Sequence, residues 1–153
     1  MINRTAYFLD IDNLSGSGRP SSERVQQVLD QFEACCRPCQ MDQVYCAGTA
    51  VSAYHCADYR PNYRVTVGRG LDGADHRLLE LADPDHISRR FRRVVIGSGD
   101  GIFTTLALEY KRRGLKVDVI LGEGAIASSL KDVVNMTPSG QSSAIQRLTF
   151  SAN

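Results

Sequence analysis

The sequence lacks several features that would place it in a broad class at once. It has no run of 18 apolar residues, the length that a membrane-spanning helix requires. Near its N-terminus, Asp10 stands where an export signal would need its apolar core. We therefore expect a cytoplasmic protein with no membrane association. The net charge is only +1, so binding to nucleic acid would depend on a local basic patch.

The common nucleotide-binding motifs are also missing. No G-x-x-x-x-G-K-[ST] segment occurs in the chain. The glycine-rich loop 97–101 resembles a dinucleotide motif, but Ile102 stands where the third glycine would be needed. This loop also follows the fourth strand pattern, whereas the dinucleotide motif follows the first. These departures argue against a P-loop and against a dinucleotide site.

The main positive signal is an alternation of strand and helix patterns, which is typical of a parallel sheet covered by helices. Short apolar runs predict strands at 5–9, 44–47, 63–67, 94–96 and 117–121, with a further edge strand at 148–150. Helical patterns lie around 25–32, 50–57, 78–82, 87–91, 103–110 and 125–134, and 13–22 is expected to be a loop. We predict a three-layer α/β/α fold with a central, mainly parallel sheet of five or six strands. Residues 1–153 should form one domain, with a core at about 4–134 and a polar C-terminal tail.

Aspartates follow three of the predicted strands. Asp10 ends the first strand, Asp72 and Asp75 follow the third, and Asp100 follows the fourth. The carboxyl ends of parallel strands meet at one edge of a sheet, so these side chains should lie together. Clustered carboxylates repel one another and raise one another's pKa values unless a cation balances them. Mg²⁺ or Mn²⁺ prefers such oxygen ligands, although any single aspartate after a strand is often only a helix cap or a turn residue.

Polar and basic residues near the same edge are candidates for binding substrate phosphates. Asn13 offers an amide, and Ser98 and Thr104 offer hydroxyls, although Asn13 is equally an ordinary loop residue and Ser98 equally a turn residue. The candidate arginines in or after the loops at this edge are Arg19, Arg69 and Arg77. The arginine-rich run 89–93 precedes the fourth strand, so it should lie at the opposite edge as a solvated face.

Three segments resemble a known family. Residues 7–13 contain D-x-x-N, residues 70–79 form an acidic segment, and residues 95–103 contain S-G-D-x-x-F. Together they resemble the NYN domain family, a branch of the PIN-like nucleases, over roughly residues 4–134. The order, spacing and strand context of the three segments agree with that family.

The resemblance implies a PIN-like fold and an endoribonuclease that depends on Mg²⁺ or Mn²⁺. It implies that Asp10, Asp75 and Asp100 are the catalytic metal ligands, with Asn13 in support. Asp72 is an alternative or additional ligand, because either Asp72 or Asp75 matches the acid of the family. The family often has a fourth acid late in the chain, and Asp132 is the nearest candidate here.

Three functions fit these residues. The first is a metal-dependent endoribonuclease that hydrolyses RNA phosphodiester bonds at the acidic edge. The second is a catalytically inactive module with the same fold that binds RNA or a protein. The third is a metal-dependent phosphatase or DNA nuclease that uses the same acids. The resemblance also makes a homodimer reasonable.

Overall fold

A computed structural model describes residues 3–68, 73–136 and 143–150 of the chain. Two of the predicted site residues, Arg69 and Asp72, lie outside the described residues. Among the described residues, no helix is long and apolar enough to cross a bilayer.

The centre of the fold is a six-stranded sheet in which every pair of neighbouring strands is parallel. Its strands are β1 (Thr5–Asp10), β2 (Gln43–Gly48), β3 (Arg64–Val67), β4 (Arg93–Gly97), β5 (Lys116–Leu121) and β6 (Ile145–Arg147). Their spatial order is β3-β2-β1-β4-β5-β6. The predicted parallel sheet of five or six strands is therefore confirmed.

Helices cover both faces of this sheet. They are α1 (Ile11–Ser15), α2 (Ser22–Cys36), α3 (Ala50–Tyr59), α4 (Gly73–Leu81), α5 (Pro84–Arg90), α6 (Thr104–Arg112) and α7 (Ser128–Asn135). Alternate residues of β1 point to opposite faces of the sheet. Tyr7 and Leu9 pack in a core with α1, α2 and α3, whereas Ala6 and Phe8 pack in a second core with α4 to α7. These two cores give the three-layer α/β/α arrangement that the sequence predicts.

Three local expectations were wrong. Residues 13–15 continue a short helix, α1, because the side chain of Asp10 caps it and Gly16 ends it with a φ of 77°. The last strand lies at 145–147, since the carboxylate of Asp118 binds the backbone N–H of Ala144 at 2.7 Å and starts the pairing there. The last helix begins at Ser128, because Ala127 donates its N–H to the carbonyl of Gly99.

The direction of chain progression reverses at the centre of the sheet. From β1 the chain builds outward through β2 to β3, and from β4 it builds outward the other way through β5 to β6. In sheets of this kind, ligands bind beyond the carboxyl ends of the two strands that flank the reversal. Here those ends are level, because Leu9 of β1 pairs with Gly97 of β4.

A candidate acidic active site

Asp10 stands at the carboxyl end of β1, where the strand gives way to α1. Its Oδ1 accepts a hydrogen bond from the backbone N–H of Asn13 at 3.2 Å. The side chain is almost completely buried, with 4% of the residue exposed. The cap therefore places a buried carboxylate at the reversal point of the sheet.

Asp100 occupies the corresponding place beyond β4. It caps a 3-10 turn, Gly101–Phe103, and its Oδ1 accepts from the N–H of Ile102 at 3.0 Å. The loop is tied to α1, because Asn13 Oδ1 accepts from the N–H of Gly99 at 3.3 Å. Asn13 thus links the turn that carries Asp10 to the loop that carries Asp100.

Asp75 reaches the same place by a route that the sequence did not predict. From the sequence we expected Asp75 to reach the site from the carboxyl end of the third strand, but β3 lies at the sheet edge, two strands away from β1. Asp75 arrives instead because α4 packs across β1, β2 and β3. It lies in the first turn of α4 with 5% of the residue exposed, and its Oδ1 has no hydrogen-bond partner among the described residues.

The acids line a small cavity of about 190 Å³. Four carboxylates contribute to its wall, and the other lining residues are small or polar. The described lining residues are Asp10, Asp12, Asn13, Thr49, Gly68, Gly73, Ala74, Asp75 and Asp100. No lysine or arginine is among these residues, so no side-chain cation of the described lining offsets their charge.

The electrostatics of the cavity follow from this crowding. Burial, followed by the contact with Asp10 and then with Asp100, raises the pKa of Asp75 from 3.8 to about 9. Burial also raises the pKa of Asp10, and repulsion from Asp12 and Asp100 adds to that effect. The raised pKa values of Asp10 and Asp75 therefore favour a proton shared by the pair when no cation is bound.

The residues of the cavity have the chemistry of a site for a hard divalent cation. The donors are carboxylate oxygens, and the buried Oδ1 of Asp75 lacks the partner that a cation would supply. Among the described residues, however, no three His, Cys, Asp or Glu side chains are arranged as a metal-ligand group. Binding an ion would therefore have to draw the carboxylates into a geometry that they do not have here.

The sequence of the chain matches a known domain family. A family model of the NYN domain matches residues 4–139. The chain belongs to the NYN domain family. No curated protein sequence matches the chain.

The NYN domain belongs to the PIN-like nucleases, so its acidic cavity is the first place to look for nuclease chemistry. The predicted residues Asp10, Asp75, Asp100 and Asn13 all line that cavity. Their roles as ligands and as support stay predictions.

The predicted phosphate-binding hydroxyls lie elsewhere in the NYN domain. Ser98 is fully buried, and its Oγ accepts from the N–H of Asp100 at 3.1 Å, so it stabilises the turn instead of facing a substrate. The hydroxyl of Thr104 lies 3.0 Å from that of Ser129 on α7 and does not line the cavity. Neither hydroxyl is placed to contact a phosphate inside the acidic cavity.

Arg19 and Arg77, the two predicted arginines that the structure describes, are not among the described lining residues of the cavity. Arg77 faces away on α4, where it donates to Thr66 at 3.2 Å and to Glu80 at 2.5 Å. Arg19 is exposed beside Gly18, whose carbonyl accepts from the hydroxyl of Thr49 at 2.7 Å. Of the two described arginine candidates, Arg19 thus lies in a loop that contacts Thr49, a residue of the cavity wall.

The sequence analysis did not identify Asp12 as a site residue. Asp12 lines the cavity, and its carboxylate accepts from the hydroxyl of Ser52 at 2.6 Å and from the N–H of Thr49 at 3.1 Å. The fourth carboxylate of the cavity thus follows Asp10 by two residues instead of coming late in the chain. Asp132 is exposed on α7 and does not line the cavity. The acidic segment after β1 was the available signal, but only the fold shows that α1 turns Asp12 toward α3.

Gly99 controls where Asp100 stands, and its replacement by alanine tests this. A Cβ at Gly99 would lie 2.5 Å from the carbonyl oxygen of Ala125 and 3.1 Å from the Cα of Ile126. Backbone atoms cannot rotate away, so we expect Gly99→Ala to destabilise the fold by about 1–3 kcal/mol. Thermal unfolding should show a lower Tm, and any RNA cleavage should fall as Asp100 moves.

Gly124→Ala is the matched control, because a Cβ there meets nothing within 4 Å. We expect this variant to keep the Tm and the activity of the parent. Equal Tm values for the Gly99→Ala variant and the parent would show that the loop carrying Asp100 is free to move.

Proposed function

We propose that the protein is a metal-dependent endoribonuclease that hydrolyses RNA phosphodiester bonds in the acidic cavity. The observation that carries this proposal is Asp75, a buried carboxyl whose Oδ1 has no hydrogen-bond partner among the described residues and which lies against the carboxylates of Asp10 and Asp100. Such a cluster is unfavourable in the apo protein and becomes favourable around a divalent ion. The family supports the nuclease class, since NYN domains belong to the PIN-like nucleases.

In this proposal the acids have complementary roles. Asp10, Asp75 and Asp100 hold Mg²⁺ or Mn²⁺, and Asp75 must release its proton when the ion binds. A bound ion would supply Lewis-acid stabilisation of the charge that develops on the phosphate. Asn13 positions the site, because its backbone N–H and its side-chain oxygen bind the Asp10 cap and the Asp100 loop.

The second candidate is a module with the same fold that binds RNA or a protein without catalysis. The observation that favours it is that no three potential ligands in the described part of the chain stand in metal-ligand geometry. In that case Asp10 and Asp100 would serve as the helix and turn caps that they form here. The homodimer that the resemblance implies stays a prediction.

The test is cleavage of a mixed pool of structured and unstructured RNA by the purified protein with Mn²⁺, with Mg²⁺ and with EDTA. We expect cleavage with either metal and none with EDTA, because the described lining of the cavity contains no lysine or arginine that could stabilise the reacting phosphate. Cleavage that continues in EDTA would contradict the proposed chemistry. No cleavage by folded protein under any condition would favour the binding module.

A further inference from the structure

The end of the sheet opposite the acidic cavity is lined by basic residues. Arg4 precedes β1, Arg92 precedes β4, Arg93 begins β4, and Lys116 begins β5. The strands are in register here, since Thr5 pairs with Arg93 and Arg93 pairs with Lys116. We call Arg4, Arg92, Arg93 and Lys116 the basic edge. With Asn3 and Thr5, these four side chains line a cavity of about 270 Å³.

Two of the four cations are held in place by their neighbours. Arg4 lies over the ring of Phe91, 4.7 Å from its centroid, and donates to the carbonyl of Met41 at 2.8 Å. Arg93 donates to the buried carboxylate of Asp118 at 2.7 Å. A guanidinium that is already fixed loses little conformational entropy when it binds a ligand.

The other two cations are available to a ligand. Lys116 lies 3.9 Å from Asp118, which is already bound to Arg93. Arg92 is exposed and forms no ion pair with any residue that the structure describes. Asp118 is thus shared between Arg93 and Lys116, and the basic edge keeps a net positive charge.

The charge extends beyond the cavity. Arg89 and Arg90 are exposed at the C-terminal end of α5, immediately before Phe91, and no acid in the described ranges pairs with either. Arg113 forms an ion pair with Asp85 of α5, and this pairing offsets its positive charge. Arg89 and Arg90 are thus exposed, as the predicted solvated face requires, and they add positive charge just before Arg92 of the basic edge in the chain.

We propose that the basic edge binds the phosphate backbone of single-stranded RNA, as a contact separate from the acidic cavity. Arginine guanidinium groups match phosphate oxygens in a bidentate fashion. β1 has six residues, so about 20 Å separate the two ends of the sheet. An RNA that is repelled by the acids at one end, in the absence of a cation, is attracted to the other end.

The composition of the surface favours a nucleic acid over a lipid bilayer. Surfaces that enter membranes place apolar side chains among their cations. Among the described residues, Met41 is an exposed large apolar residue beside Arg4, but none of the exposed large apolar side chains lines the cavity of the basic edge. The choice of RNA as the polyanion rests on the proposed function, whereas the affinity for phosphates rests on the cluster itself.

The experiment measures binding of a fluorescent single-stranded RNA by anisotropy over a series of salt concentrations, in EDTA. The test variant is Arg92→Gln with Lys116→Gln, which removes the charges of exposed Arg92, just before β4, and of half-buried Lys116, at the start of β5. We expect RNA affinity to fall about tenfold, and the slope of log K against log salt to fall by about 1.4. The loss should be similar for RNAs of different base composition, since phosphate contacts do not read sequence.

The charge-matched control is Arg64→Gln with Lys131→Gln, because neither residue lines this cavity. We expect the control to bind RNA as the parent does, and both variants to keep the parent Tm. Equal loss of affinity in the two variants would overturn the proposal, because net charge alone would then explain the binding. Unchanged RNA binding by the test variant would also overturn the proposal. The proposal would fail as well if the two substitutions weakened binding to phosphatidylserine vesicles and left RNA binding unchanged.

This result is separate from the test of catalysis. EDTA removes any metal, so the assay reports binding without cleavage. A protein that binds RNA through the basic edge and cuts no RNA with Mn²⁺ would contradict the proposed activity alone. A protein that cuts RNA normally after loss of the basic edge, and binds it as tightly, would contradict this inference alone.

Discussion

Replacing Asp100 with asparagine should reduce RNA cleavage about a thousandfold while leaving the fold intact. The charge is lost, but the side chain keeps an oxygen in the position where Oδ1 accepts from the N–H of Ile102 at 3.0 Å. The turn that carries residue 100 should therefore persist. The expected result is a parental Tm in EDTA combined with nearly complete loss of cleavage in Mn²⁺.

Asp132→Asn controls for the change in charge. Asp132 is exposed on α7 and lies outside the lining of the acidic cavity. The Asp132→Asn variant should cleave RNA at the parental rate. That result would agree with the position of Asp132 and would argue against its role as the fourth acid. If the Asp100→Asn variant also cleaves at the parental rate, Asp100 is a turn cap and no ligand.

The features of the fold that could be predicted are those with a strong periodic signal. The apolar runs of β1 and β4 and the apolar face of α2 could be read directly from the sequence, and the alternation of elements predicted the parallel sheet. The short elements could not be predicted in this way. α1 has five residues and depends on the Asp10 cap, and β6 has three residues and depends on Asp118 binding the N–H of Ala144.

The site residues also differ in how far the sequence could predict their positions. Asp10 and Asp100 end adjacent strands, and the carboxyl ends of those strands lie at one edge in any sheet of this class. Asp75 was named for the wrong reason, because the crossing of α4 over the sheet brings it there. No local pattern in the sequence encodes the angle at which a helix crosses a sheet.

The direction of individual side chains was the least predictable property. Ser98 follows β4 as a phosphate-binding residue would, yet its side chain is buried under the turn. Arg77 follows Asp75 by two residues, and in a helix residues two apart face different directions. It therefore pairs with Glu80 on the outer surface of α4.

Replacing Asp75 with asparagine should have opposite effects on stability and on activity. The carboxyl is buried against Asp10 and Asp100, and its raised pKa shows that the folded apo protein disfavours its charge. An asparagine amide is neutral and can donate to the carboxylates on either side. We expect the metal-free variant to have a Tm several degrees above the parent at pH 7, since about 1 kcal/mol shifts the Tm by ~2–4 °C in a chain of this size.

The direction of the pH dependence follows from the same pKa. The pKa of an unfolded aspartate is 3.8, whereas burial and the neighbouring Asp10 and Asp100 raise the pKa of Asp75 in the metal-free folded protein to about 9. Between these values the folded protein binds a proton that the unfolded chain has lost, so the free energy of unfolding falls as the pH rises. The contribution of the protonated Asp75 to the free energy of unfolding is fully present below about pH 4 and is lost as the pH rises toward 9. The difference in Tm between variant and parent should therefore be small near pH 4 and should grow toward pH 9.

Metal should reverse the order of stability. If Mn²⁺ binds through Asp75, it stabilises the parent by RT ln(1 + [L]/Kd), about 2.7 kcal/mol at a hundredfold excess over Kd. Asparagine offers a neutral and weaker oxygen, so the variant should gain much less. Thermal unfolding with and without Mn²⁺ measures both effects without any assay of cleavage.

The Asp75→Asn variant is informative because the substitution should raise the metal-free Tm and lower the stabilisation by Mn²⁺. A residue that only stabilises the fold would lower the Tm when replaced, with or without metal. A ligand residue should raise the apo Tm, lower the response to Mn²⁺ and reduce cleavage about a thousandfold. If the Asp75→Asn variant is less stable than the parent in EDTA, the repulsion between Asp10, Asp75 and Asp100 does not destabilise the metal-free protein. The argument for a cation at this position would then lose its physical basis.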